Sequence, residues 1–164
     1  MSRFLALILG VLGAVGASQA PEFTQQYTQN LLGRIAALTE VVENFDEDAA
    51  RSGLSRSEAL RRCLADEQPA GALSCRGRAD DVALHERYKA QYEAIEDAGE
   101  WQKPIFLARN VDRDIFDSTL SIYEPAVPAT IVGGGFAAAG FAVFWGIAAM
   151  IFGTIGSLFG GRRY

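Results

Sequence analysis

The apolar positions of the chain fall into three regions with different patterns. Residues 4–20 form an uncharged run of 17, and residues 126–161 form an uncharged run of 36. A helix crosses the ~30 Å hydrocarbon layer of a bilayer with roughly 20 residues, so both runs are predicted to span a membrane. The sequence therefore predicts an N-terminal transmembrane helix at 1–21, a water-exposed domain at 22–125 and a C-terminal transmembrane helix with a short tail at 126–164.

The middle region shows the periodicity of amphipathic helices. Residues 22–46 carry one apolar face with spacings of three and four. Its members are Phe23, Tyr27, Leu31, Ile35, Leu38, Val42 and Phe45. Gly53 is predicted to cap the end of this helix, and Ser55 followed by Glu58 forms a capping box that predicts the start of a second one.

Two further helices are predicted at 78–98 and 112–123. Residues 101–109 are interpreted as a connector that lies on the domain or at the lipid surface, because Pro104 interrupts the pattern. No segment alternates with period two over its length, so no sheet is predicted. The predicted fold class is all-α, with a helical domain, either a bundle or coiled-coil-like, between the two spans.

The charges are distributed in a way that predicts topology. All 20 acidic residues lie between Glu22 and Glu124, together with 12 of the 15 basic ones, which leaves that segment at −8. The other three basic residues are Arg3, Arg162 and Arg163, just outside the apolar runs. Short basic flanks stay in the cytoplasm, so both termini are predicted inside and the middle domain in the periplasm of a bacterium. Nucleic acid is not expected as a partner, because its binding depends on neutralising phosphates.

A cleaved signal peptide is the alternative for the first apolar run. Arg3, the apolar stretch and the small residues of "ASQA" match its three parts. Pro21 would occupy the first mature position, where cleavage is disfavoured. The retained anchor is therefore the favoured interpretation, and the cleaved leader stays open.

Cys63 and Cys75 are the two cysteines of the chain. In an oxidising compartment two nearby cysteines usually pair, and closing so short a ring stabilises the fold by about 3 kcal/mol. Pro69 and Gly71 between them suit a loop. A redox-active pair is the alternative, but the C-x-x-C spacing is missing.

Small residues recur with a period of 3.5 in both predicted spans. This small-residue stripe comprises Gly135, Ala139, Ala142, Gly146, Ala149, Gly153, Gly156 and Gly160 in the second span, and Ala6, Gly10, Gly13, Ala17 and Ala20 in the first. Helices in lipid associate through close backbone approach, which small residues permit, and this period keeps the seam on one face. The simplest prediction is an antiparallel hairpin in which stripe meets stripe. A second copy as partner, or a chance pattern in a Gly- and Ala-rich span, stays open.

Residues with catalytic or metal-binding potential are few. His85 is the single histidine and is interpreted as a helical surface position, because no H-E-x-x-H motif accompanies it. The acidic stretch "DEDAARSG" lacks the EF-hand spacing, and Gly133–Gly135 lacks the features of a phosphate loop. Neither span contains an ionisable residue, which argues against a pump or transporter. We predict no catalytic, cofactor-binding or metal-binding residues and no cofactor.

Several stretches resemble a known bacterial family. They are "RFLALILGVLGAVGASQAPEFTQQYTQNLLGRI", "VVENFDEDAARSGLSRSEAL" and "STLSIYEPAVPATIVGGGFAAAGFAVFWG". With their F-x-x-Q-Y, F-D-x-D-A-x-x-x-G-L and P-A-V-P motifs, they resemble domain of unknown function 2937. The resemblance covers nearly the whole chain and implies an inner-membrane protein of proteobacterial type. It brings no catalytic residues to carry over, because the family has no assigned activity. The cysteine pair is not part of it.

Two functional hypotheses follow from these features. The first is a non-enzymatic integral inner-membrane protein that serves as an accessory or scaffold subunit of a larger membrane complex, with the bilayer and another membrane protein as partners. The alternative is a self-associating periplasmic sensing or regulatory module. Because the predicted cytoplasmic ends are short, such a module would act through another membrane protein.

Overall fold

The computed structural model describes residues 2–65, 69–125 and 130–160. All regular secondary structure in these ranges is helical, which confirms the all-α class. The seven helices of the described ranges are α1 (Ser2–Ser18), α2 (Ala20–Arg51), α3 (Arg56–Leu64), α4 (Pro69–Glu96), α5 (Lys103–Arg109), α6 (Arg113–Ile122) and α7 (Ile131–Gly160). Two helical stretches are long and apolar enough to cross a membrane: one begins in α1 at the N-terminus, and the other lies in α7.

The chain divides into two compact units. Residues 1–27 and 99–164 form the first, here called the terminal unit, and residues 28–98 form the second, the middle unit. The segment 22–125, which the sequence predicts as one domain, contributes to both units. Each unit is considered by itself below.

In the terminal unit, α1 ends where the spacing of the backbone hydrogen bonds falls from four residues to three. The amide of Gln19 donates to the Gly16 carbonyl over 3.3 Å, a spacing of three residues, and the Ser18 hydroxyl donates to the Val15 carbonyl at 2.7 Å. Side chains that bond to backbone carbonyls compete with the regular helical ladder. Helix α1 therefore ends at Ser18, three residues before Pro21, and α2 begins at Ala20 after the single residue Gln19.

The remaining helices of the terminal unit meet around a small core. Ile115 and Thr119 of α6, Leu107 of α5 and Tyr27 of α2 are all buried. The Tyr27 hydroxyl accepts a 3.0 Å hydrogen bond from the amide of Asp112. The Asp112 carboxylate in turn accepts from the amides of residues 114 and 115, which makes it the N-cap of α6. The polar tip of a buried tyrosine thus fixes the start of α6.

In the middle unit, helix ends match the predicted signals. Gly53 has a φ of +68°, a left-handed conformation that glycine adopts without steric cost. The amides of Gly53 and Leu54 donate to the carbonyls of Ala50 and Ala49, both at 2.9 Å, which is the Schellman pattern at the end of α2. The Ser55 hydroxyl accepts from the Glu58 amide at 3.3 Å and caps α3.

One expectation for the middle unit is wrong. The third predicted helix begins not at residue 78 but at Pro69, so the predicted loop is helical from Pro69 onward. Proline suits the first turn of a helix, because the amide it lacks would have no intrahelical partner there.

Candidate functional site

The contact between α1 and α7 combines glycines of one helix with aromatic rings of the other. A Cβ placed on Gly10 would lie 2.8 Å from a ring carbon of Phe141 and 3.0 Å from the Cβ of Trp145. A Cβ on Gly13 would collide with the Phe144 side chain. Only glycine fits these two positions, so the rings of Phe141 and Phe144 lie directly against the α1 backbone. Such contact supplies the dispersion energy by which helices associate in lipid.

At Gly140 the backbones of α1 and α7 come into close contact. A Cβ on Gly140 would collide with the carbonyl oxygen of Gly13 and with the Cβ of Ala17. Ala6, nearer the start of α1, is only 1% exposed. The four α1 positions of the predicted stripe, Ala6, Gly10, Gly13 and Ala17, are thus all buried or half-buried.

The α7 part of the predicted stripe does not face α1. Ala139, Ala142, Ala149 and Gly153 are exposed, and nothing lies within 4 Å of a Cβ placed on Gly146 or Gly153. With 3.6 residues per turn, Ala142 lies about 200° around the helix from Gly140. The expectation that stripe meets stripe is therefore wrong. Aromatic side chains of α7 occupy the space opposite the α1 glycines, and this pairing of large with small fills the interface better than two small stripes would.

The ends of the α7 stripe have different surroundings. Gly135 is covered by the indole of Trp101, which also stacks on Phe136 with ring centroids 6.2 Å apart. Gly156 and Gly160 lie in α7, but their surroundings fall outside the described part of the chain. We call Ala139, Ala142, Gly146, Ala149 and Gly153 the outward face of α7.

The cysteines Cys63 and Cys75 lie at disulfide-bonding distance. Their Cα atoms are 5.6 Å apart, which is the usual separation for a bridged pair. The link joins α3 to the early part of α4, and Cys75 is buried.

His85 is not a surface residue, contrary to the sequence-based interpretation. It is 7% exposed, and its Nε2 atom lies 2.9 Å from the Thr39 hydroxyl. Because that hydroxyl donates to the Ile35 carbonyl at 2.8 Å, it accepts from Nε2–H of the ring. The histidine therefore connects α4 to α2. Its hydrogen-bond partner lies 46 positions away in the sequence, so helical spacing alone could not reveal it. No cluster of potential metal ligands occurs among the described residues.

A charged cluster that the sequence analysis missed connects three helices of the middle unit. Arg56, the first residue of α3, forms a bidentate contact with the Asp46 carboxylate of α2. The Arg56 Nε atom lies 2.6 Å from Oδ1 of Asp46. Its Nη1 atom lies 3.7 Å from the Glu86 carboxylate of α4. Hydrogen bonding to Arg56 lowers the pKa of Asp46, and burial only partly opposes this effect. The ten-residue spacing of Asp46 and Arg56 has no helical periodicity, so the sequence offered no signal for the pair.

The contact between α1 and α7 is thus a helix-packing interface. Residues 1–161 match the family described as "Protein of unknown function (DUF2937)". Neither a curated protein nor a solved structure matches the chain. Since the family match spans nearly all of the 164 residues, the chain belongs to the DUF2937 family.

Proposed function

We propose that this protein is a non-enzymatic accessory or scaffold subunit of a larger complex in a bacterial inner membrane. The single observation that carries the proposal is the outward face of α7. One side of this apolar helix is occupied by α1, and the other presents small residues without a neighbour in the described chain. In lipid such a face favours close approach of another helix.

We also infer that α1 and α7 cross the bilayer as an antiparallel hairpin. The order of their contacts supports this arrangement, because Gly10 meets Trp145, whereas the later Ala17 meets the earlier Gly140. The fit of aromatic rings onto Gly10 and Gly13 also supports a retained anchor, since a removed leader would leave α7 without that partner. With basic flanks inside, residues 22–125 would lie in the periplasm.

A second copy of the chain is the alternative partner for the outward face. This arrangement corresponds to the self-associating sensing or regulatory module. Both functions use the same surface, but they differ in what the surface binds: another membrane protein in the first, an identical face in the second.

The test changes the outward face without disturbing the chain's own packing. Gly146→Leu has room within one copy, because nothing lies within 4 Å of its Cβ. Gly134→Leu is the matched control, since Gly134 is also an α7 glycine with open surroundings but lies off the outward face. The particle mass is measured after extraction in a mild detergent, and the bound proteins are identified by mass spectrometry.

We expect the unsubstituted protein and Gly134→Leu to migrate in a complex with other membrane proteins, and Gly146→Leu to be released from it. A homodimer that Gly146→Leu dissociates would favour the sensing module instead. A monomer in every variant, or an equal complex in every variant, would remove the basis for a partner on this face.

A further inference from the structure

The terminal unit contains a cavity of about 410 Å³ beside the junction of α1 and α2. Such a volume lies within the range of small-ligand sites. Its walls come from the end of α1, the start of α2, and from α5 and α6. The residues that line it include Gly16, Phe23, Leu107, Phe116 and Tyr123.

The polar groups in the wall are engaged within the protein. The Tyr123 hydroxyl donates to the Gln19 side-chain oxygen at 2.9 Å, and the Thr24 hydroxyl donates to the Ala20 carbonyl at 2.7 Å. Burial raises the pKa of Tyr123, which keeps the hydroxyl protonated as a donor. None of the wall residues is charged. The cavity is therefore suited to a hydrocarbon ligand rather than to a polar metabolite.

Exposed apolar residues lie on two of the helices that line the cavity. Leu12 and Val15 of α1 are 60% and 58% exposed, and Leu120 and Ile122 of α6 are 55% and 69% exposed. Apolar residues on this scale at the end of a membrane-spanning helix are expected to lie in lipid. A lipid chain could pass from such a surface into the cavity without crossing water.

Two exposed arginines lie close in sequence to wall residues. Arg109 follows Ala108 directly, and Arg113 comes two positions after Val111. Arginine binds phosphate through charge-assisted hydrogen bonds. A ligand with an apolar tail and an anionic phosphate would suit an apolar cavity that has these two arginines close by in the chain.

We propose that this cavity binds one acyl chain of a membrane phospholipid whose phosphate lies near Arg109 and Arg113. The proposal rests on the membrane insertion described above. It assigns α5 and α6 to the lipid surface and gives the terminal unit a lipid-binding site in addition to its helix-packing face.

The test uses the full chain in vesicles of phosphatidylethanolamine and phosphatidylglycerol. The probe is phosphatidylglycerol with a photoactivatable diazirine halfway along one acyl chain, and labelled peptides are mapped by mass spectrometry. Gly16→Leu narrows the cavity, because Gly16 is a wall residue and nothing lies within 4 Å of its Cβ. Gly134→Leu is again the matched control, and Ala20→Leu narrows the cavity from a second position.

We expect labelling of peptides from α2, α5 and α6 that Gly16→Leu and Ala20→Leu reduce about tenfold, because each excludes two or more methylene groups of the bound chain. Gly134→Leu should leave the labelling unchanged. Replacing both arginines with Gln should weaken labelling by this probe, but not labelling by a diazirine fatty acid without a phosphate.

Several outcomes would overturn the proposal. Labelling of α1 and α7 alone would disprove the lipid site while supporting membrane insertion. Labelling of α5 and α6 that neither narrowing variant reduces would indicate general contact with lipid rather than a site. Equal sensitivity of both probes to the arginine variant would exclude phosphate recognition. No labelling in any helix would contradict membrane insertion itself.

Discussion

At the scale of single residues, the described glycines show two different roles. Gly53 adopts a positive φ at the end of α2, and Gly10 and Gly13 leave room for aromatic rings of α7. Gly33 and Gly146, by contrast, have open space around a placed Cβ and ordinary helical conformations. Spacing in the sequence marks Gly10, Gly13, Gly53 and Gly146 as candidates for packing or capping. It cannot tell which of them has a neighbour, because that depends on side chains far away in the sequence.

The capping role of Gly53 leads to a prediction with an internal control. Gly53→Ala should lower the free energy of unfolding by about 1 kcal/mol, because alanine is strained in the left-handed conformation. Gly33→Ala should raise it by about 0.5–1 kcal/mol, since alanine favours the interior of a helix. Guanidinium unfolding of the full chain in detergent, followed by circular dichroism, measures both. A Gly53→Ala variant that is as stable as the unsubstituted protein, or more stable, would show that the turn after α2 does not depend on its glycine.

At the scale of helices, the sequence predicts those elements whose signals are local. The Schellman end of α2 and the Ser55 cap of α3 were predicted correctly, because each depends on residues within one turn. The predicted start of α4 is nine residues too late. Proline occurs both in the first turn of helices and in loops, so Pro69 alone did not distinguish the two. The α1–α7 interface was foreseen only on its α1 side. Which face of α7 meets α1 is decided by how Phe141 and Phe144 fit the glycines, and periodicity does not encode this fit.

The Asp46–Arg56 pair connects α2 and α3 and predicts a dependence of stability on pH. Arg56 lowers the pKa of Asp46 below its ordinary value of 3.8, so the folded state favours the ionised carboxylate. A pKa lowered by folding stabilises the protein above pH 3.8, and this contribution is lost as the pH falls through the folded-state pKa. Because the two side chains are 38% and 35% exposed, solvent screening limits the contribution to about 0.5 kcal/mol.

Asp46→Asn tests this dependence. At pH 7 the variant should be less stable by about 0.5 kcal/mol, and the difference should shrink as the pH falls below 3.8. Asp48→Asn is the matched control, because Asp48 contacts Arg51 at a site where both side chains are about two-thirds exposed. We expect no measurable change for the control. A destabilisation of Asp46→Asn that persists undiminished at low pH would assign the effect to packing rather than to charge.

At the scale of the whole molecule, charge and cysteine chemistry make the same prediction about topology. The acidic residues all lie between the apolar helices, and the basic residues outside that segment flank them. Cys63 and Cys75 lie at disulfide-bonding distance between the same two helices. Disulfides persist in the periplasm and are rare in the cytosol. Orientation by flanking arginines and oxidation of a cysteine pair are independent effects, and both predict that the middle unit lies outside the cytoplasm.

This topology can be tested with single cysteines in a background in which Ser replaces both native cysteines. Ser57→Cys, an exposed position of the middle unit, should react with a membrane-impermeant maleimide in intact spheroplasts. Ser2→Cys, at the start of α1, should react only after lysis, because the basic flank at Arg3 favours the cytoplasmic side. In the unsubstituted protein, Cys63 and Cys75 should resist alkylation until a reductant is added. Loss of Ser2 from the mature protein would instead identify α1 as a cleaved leader. Protection of Ser57→Cys together with reduced native cysteines would place the middle unit in the cytoplasm and reverse the orientation that the charges predict.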